Sequence, residues 1–226
     1  MLQRYKTPLQ IKWNEKFYTL PKSTHKIMYN IFLSRKAESS EITKKLFQEL
    51  NVTDEKEIKD MYLLSQRTEV RNPIKELQYK ILNKYVAVNT FLKKIKIVKS
   101  ALCSFGCGKE ETVNHLFFKC DYIQDFWTSF STYLENKTKQ TIYFDLKSII
   151  LGMKDNNYDI AINYLILNAK YFIYRCKLEN ARPLANIFIN DLKKQYLIDK
   201  NRMNIYKNRS LINLWKTPIM TAFAAA

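Results

Sequence analysis

A chain of 226 residues with 38 Lys and Arg against 21 Asp and Glu carries a formal charge of +17, and its 46% hydrophobic and 14% aromatic content is ample for a packed core. Three glycines and five prolines leave little punctuation for hairpins, barrels or phosphate-cradling loops, so a mainly α fold is expected. Disorder is excluded as the default. So is a membrane span, because the most apolar stretch, Ile160 to Ala169, is interrupted by Asn163 and Asn168 and falls short of the roughly 18–20 residues a bilayer requires.

The opening MLQRYKTPLQ has no apolar stretch of signal-peptide length, so an intracellular chain is expected. Ser39 and Ser40 before EITKKLFQEL, and Thr53 before DEKEIKDMYLL, read as helix caps. Asn72 and Pro73 open IKELQYKILNKY, where Ile74, Leu77, Ile81, Leu82 and Tyr85 fall on one face and leave Lys75, Lys80 and Lys84 mainly on the others. After a cysteine-rich stretch, YIQDFWTSFSTYL, the run from Tyr158 to Leu178 and PLANIFINDLKKQYLIDKNRMNIYKN read as three more helices, the middle one a buried core helix. TPIMTAFAAA carries neither charge nor period and reads as a frayed end.

Charge divides unevenly along the chain. Residues 71–100 carry eight basic and one acidic residue, 170–216 carry eleven and three, and the intervening 101–169 carry six and eight. The expected organisation is therefore a helical region 1–70, a basic lead-in helix and metal knuckle over 71–130, a basic helical region 131–216 and a disordered tail 217–226.

One motif carries chemistry. ALCSFGCGKEETVNHLFFKCDY holds Cys-x3-Cys-x7-His-x4-Cys at Cys103, Cys107, His115 and Cys120. Three thiolates and an imidazole complete a tetrahedral zinc shell with no position open for water, so one structural Zn2+ is expected. The first two ligands come from a tight turn where Gly106 and Gly108 relieve the backbone, and a short helix capped by Thr112 carries the other two. The competing reading is that the cysteines are small buried residues and His115 a hydrogen-bonded core histidine. A disulfide is disfavoured in a reducing compartment. Cys176, alone on an apolar helix face, reads as a buried small residue, and His25 as a surface helix residue.

At this stretch the sequence resembles a family. EETVNHLFFKC followed by Trp127 is similar to the zinc-binding region at the C-terminal end of reverse transcriptases from non-long-terminal-repeat (LINE-type) retrotransposons. LQYKILNKYVAVNTFLKKIKIVKSALC is similar to that family's lead-in, and HKIMYNIFLSRKA onward to about Leu64 to the helical stretch linking polymerase thumb to zinc region. The tail from DLKSIILGMKD to LWK is similar as well, less specifically. The resemblance implies that Cys103, Cys107, His115 and Cys120 are the ligands and that Glu111, Thr112, Leu116 and Phe117 frame the knuckle. Two positions depart from the pattern: Cys107 lies one residue beyond the usual Cys-x2-Cys, and Asn83 stands where a His is expected.

No Asp-Asp pair occurs, so the metal-binding motif of a reverse transcriptase is missing, and no GxGxxG, Walker loop or HExxH is present. Enzymatic activity and a small-molecule substrate are not expected. The partners expected are RNA or DNA, together with the polymerase part of a longer polyprotein. Arg71, Lys80, Lys84, Lys93, Lys94, Lys96 and Lys99 are the candidate phosphate contacts, and Phe105 at the tip of the hook is the candidate for base stacking. Such a chain would work in a nuclear or cytoplasmic ribonucleoprotein. The alternative is a structural or protein-interaction module in which zinc only fastens helices and the basic faces dock an acidic partner.

Overall fold

Apolar residues at helical spacing build most of what a computed structural model describes, namely residues 10–13, 16–19, 41–153 and 159–224. His25 and the HKIMYNIFLSRKA segment lie outside these. The chain divides into two units, Met1–Lys44 and Lys45–Ala226. In the first, strands β1 (Gln10–Trp13) and β2 (Lys16–Thr19) pair antiparallel with Ile11 opposite Tyr18 and Lys12 opposite Phe17. A hairpin thus stands inside the 1–70 stretch expected to be helical, where β-branched and aromatic residues override the scarcity of glycine.

Helix α1 (Glu41–Glu49) spans the division, and α2 (Glu55–Arg67) and α3 (Asn72–Leu82) follow in order. Asp54, not Thr53, caps α2, its carboxylate accepting from the Lys56 and Glu57 amides at 3.3 and 3.0 Å. Helix α3 stops at Leu82 because Lys84 takes a left-handed φ of 54°, which turns Tyr85 out to solvent instead of onto the buried face. Gln78 takes the buried place that Tyr85 was expected to share. Asn83, at the position where a His was expected, closes the helix by donating to the Tyr79 carbonyl at 2.8 Å.

Helix α4 (Asn89–Lys94) leads into the cysteine-rich loop and a π-helical turn, His115–Lys119. Then come α5 (Asp121–Thr138), α6 (Leu146–Leu151), α7 (Asp159–Leu178), α8 (Ala185–Tyr206), α9 (Arg209–Trp215) and α10 (Pro218–Ala224). Phe126 and Phe130 of α5 lie 5.6 and 5.1 Å from Phe188 of α8, and Trp127 lies 4.9 Å from Phe144, so rings from several helices form one aromatic core. This shared core makes 71–130 and 131–216 parts of one unit, not separate regions.

The chain end corrects a second expectation. TPIMTAFAAA lacks charge because Ile219, Met220 and Phe223 are fully buried, with Phe223 5.7 Å from Tyr133 and the Ala222 carbonyl accepting from the Tyr133 hydroxyl at 3.1 Å. The uncharged stretch is a short helix with one face buried, Pro218 and Thr221 lying exposed on the other, and not a frayed end.

Helix α7 crosses the centre, touching α3, the π-turn, α9 and α10. Its buried polar residues recur every seven positions: Asn163, Lys170 and Lys177. Two helical turns separate successive members, so they share one face. Asn163 brackets Met153, accepting from its amide at 2.8 Å and donating to its carbonyl at 2.9 Å. Gly152 alongside has a φ of 96°, and a Cβ there would run into Leu64, so this turn requires glycine.

Lys170 donates to the Gln78 side-chain oxygen at 2.5 Å and to the Ile149 carbonyl at 2.7 Å, the latter at the end of α6 where carbonyls lack intrahelical donors. Burial pushes its ammonium down to about 7. Between pH 7 and the ordinary lysine range the unfolded chain therefore binds more protons than the folded one, and stability rises with pH across that window. Lys170→Met is expected to flatten this dependence and, because it leaves the buried Gln78 and Ile149 oxygens without a donor, to lower the denaturant midpoint most at high pH, measured by urea unfolding at pH 6.5, 8 and 9.5.

Candidate metal centre

A short antiparallel turn presents the first two ligands. Leu102 bridges Glu110, the Cys103 amide donates to the Lys109 carbonyl at 2.9 Å, and Gly106 and Gly108 adopt φ of 83° and 79° that let the chain reverse. The Phe105 amide points at the Cys103 sulfur at 3.4 Å, an N–H placed to stabilise a thiolate.

The other two ligands flank the π-turn. Thr112 caps it, its hydroxyl accepting from the His115 amide at 3.1 Å. The Cys120 amide then bonds the His115 carbonyl five residues back at 3.0 Å. In an α-helix a five-residue step carries a side chain about 140° around the axis; the wider π-turn reduces that angle, so His115 and Cys120 face the same point. Closing the turn this way leaves its last carbonyls without helical donors. Helix α5 supplies them: the Trp127 indole donates to the Phe117 carbonyl at 2.9 Å and Gln124 to the Phe118 carbonyl at 2.7 Å.

The result brings Cys103 Sγ, Cys107 Sγ, a His115 ring nitrogen and Cys120 Sγ within 4.8 Å of one another. Cys103 and Cys120 sulfurs are 3.7 Å apart, too far for a disulfide and close to the roughly 3.8 Å edge of a tetrahedron with zinc–sulfur bonds of about 2.3 Å. Cys107 Sγ stands 3.2 Å from His115 Nε2. Cys107 reaches the cluster despite the extra residue in Cys-x3-Cys, the chain turning at Gly106 just before it. Burial pushes the Cys120 thiol up to about 12 and raises Cys103, while it lowers His115 and keeps the imidazole neutral. Donors of this kind, three buried and one half-buried and all converging, fit one structural zinc ion. Bound there, the ion would cross-link the loop to the start of α5 with four protein ligands and no open position.

Glu111 locks this loop to the helices. Its carboxylate is fully buried and accepts from the Asn89 amide at 2.9 Å and the Ser104 amide at 2.8 Å, and it pairs with Lys177 of α7 at 3.2 Å. Its backbone carbonyl accepts from the Thr90 hydroxyl at 2.8 Å. Sequence reasoning missed Lys177, counting it only within the basic C-terminal region. The available signal was its place seven residues after Lys170 on the apolar face of a core helix.

Residues 24–127 match the family model described as zinc-binding in reverse transcriptase. They are a reverse-transcriptase zinc-binding region. The match ends at Trp127, the indole that caps the π-turn. No curated protein matches the chain.

Around this zinc-binding region the eight candidate nucleic-acid contacts part ways. Arg71 lies over the Tyr171 ring, 5.7 Å from its centroid. Lys80 pairs with Glu76 at 2.7 Å and Lys84 with Glu49 at 3.4 Å. Lys93, Lys94, Lys96 and Lys99 are exposed, and among the described residues none of them is paired with a carboxylate. Phe105 is 5% exposed and belongs to the core, so the hook tip folds its ring inward and offers no face to a base. A loop this small holds its position partly by burying that ring, which removes Phe105 from the candidate stacking residues. No described helix is long and apolar enough to cross a membrane.

Proposed function

We propose that this chain is the nucleic-acid-binding C-terminal segment of a LINE-type retrotransposon reverse transcriptase, holding template RNA or target DNA near a polymerase encoded elsewhere in the polyprotein and not itself catalysing polymerisation. The observation that carries the reading is the row of four unpaired lysines, Lys93, Lys94, Lys96 and Lys99, running directly into the zinc loop. Exposed ammonium groups without carboxylate partners are available to displace counterions from phosphates, the main source of affinity for nucleic acid. The zinc loop would then serve to fix where these lysines stand.

A protein-docking reading has its own support. Ile95 and Ile97 among the lysines and Leu102 just after them are exposed by 47%, 67% and 52%, apolar surface for a partner protein to cover. Titration of fluorescent single-stranded RNA, duplex DNA and an RNA–DNA hybrid with zinc-loaded protein at two salt concentrations separates the two. Binding that weakens with salt supports the nucleic-acid reading; undetectable binding to all three moves the assignment to a protein partner. In the first case, replacing Lys93, Lys96 and Lys99 together by Ala is expected to reduce the slope of log affinity against log salt by about 2 for a single strand, at about 0.7 per phosphate contact.

A further inference from the structure

A groove of about 490 Å3 opens beside the zinc loop, lined by Glu49, Lys84, Thr90, Phe91, Lys94 and Asn114 among others. Its volume lies within the roughly 300–1,000 Å3 of pockets that hold small molecules. Phe91 is half-buried, part of its ring packed on the core, and lines this space. Lys84, from the turn after α3, and Lys94, at the end of α4, bring two ammonium groups to it from different elements. Asn114 stands immediately before the metal ligand His115, so one wall of the groove is held by the zinc loop itself.

We propose that this groove seats one nucleotide of a single-stranded nucleic acid, the base or sugar against Phe91 and the flanking phosphates on Lys84 and Lys94. The proposal rests on the nucleic-acid reading above. An aromatic ring recessed in a groove is reached by an unpaired base and not by one stacked within a duplex, which makes the site selective for single strands. Thr90 and Asn114 add hydrogen-bonding groups beside the ring, the Asn114 amide offering both a donor and an acceptor. Glu49 pairs with Lys84 at 3.4 Å across an exposed carboxylate, so an arriving phosphate replaces a surface ion pair that contributes little by itself.

The test uses the full zinc-loaded chain and twelve-nucleotide RNA and DNA single strands carrying one 5-iodouracil, with duplex DNA as the control. Phe91→Leu keeps an apolar side chain on the core and is expected to weaken single-strand binding at least about fivefold while leaving duplex binding unchanged, the scale of losing one stacked base. Glu49→Gln, on the surface, is expected to tighten single-strand binding because it removes the negative charge beside Lys84. Irradiation should attach the iodouracil strand at Phe91, located by mass spectrometry. Tighter binding of RNA than DNA assigns the occupant to RNA; equal binding assigns it to either strand. If wild-type protein binds with salt dependence but Phe91→Leu and Glu49→Gln change nothing and the cross-link forms elsewhere, the groove proposal is overturned and the nucleic-acid reading stands. If wild-type protein binds no strand at all, both fall.

Discussion

Glu111→Ala is expected to destabilise the fold by about 3–5 kcal/mol, the cost of removing one partner of a buried ion pair and leaving the other behind. Lys177, 7% exposed, would keep only the Asn89 side-chain oxygen at 3.3 Å, and the Asn89 and Ser104 amides would lose their acceptor. Urea unfolding with an unchanged slope and a lowered midpoint is the expected readout. Zinc affinity should fall with it, because Ser104 sits inside the hook between Cys103 and Cys107. The double change Glu111→Leu with Lys177→Met should cost less than Glu111→Ala alone, since it removes both charges from the interior together. A double variant as unstable as the single would mean that Glu111 acts through its amide contacts and not through the ion pair.

Removing the metal is expected to unfold the loop and leave the helices standing. Structural zinc contributes an apparent 10–16 kcal/mol or so in small zinc modules, more than a loop with so little core can supply alone. Helix α5 is different. Its Phe126, Trp127 and Phe130 pack on α8 and Phe144 without the metal, so unwinding should stop within its first turn. Chelation or Cys120→Ala should therefore abolish amide-exchange protection at Cys103, Glu111 and Cys120 while far-UV dichroism changes little. A cooperative loss of all helix on chelation would show that the zinc loop nucleates the whole unit. Reloading should release at least two protons per zinc at neutral pH, because cysteine thiols ordinarily titrate above that pH and must ionise to bind. Affinity then rises with pH and is lost in acid, which calorimetry in two buffers of different ionisation enthalpy would measure.

The two variants probe one assembly from opposite ends. Zinc joins the hook to the π-turn, and Glu111 joins the same hook to α4 and α7. Lys93 and Lys94 end α4, and Lys96 and Lys99 stand on the segment between α4 and the hook, so the placement of all four depends on both ties. If the nucleic-acid reading holds, losing either tie should weaken binding without touching a phosphate contact.

What the sequence by itself determined is local. The four metal donors lie within one short stretch, and glycine pairs, a threonine cap and ligand spacing act over a few residues, so connectivity alone limits where the side chains can go. Helical periodicity likewise marked α1, α3, α5, α7 and α8. Tertiary packing decided the rest, because burial is a property of neighbours distant in sequence. Phe105 turned inward, Tyr85 turned outward, and an uncharged chain end became helix α10 with Ile219, Met220 and Phe223 buried. Lys170 and Lys177 show in the sequence only a seven-residue spacing on an apolar helix until α3, α6 and the zinc loop close over them. Each then finds its oxygen partners across gaps of 20 to 92 residues, or 66 for the Glu111 pair, which no local pattern encodes.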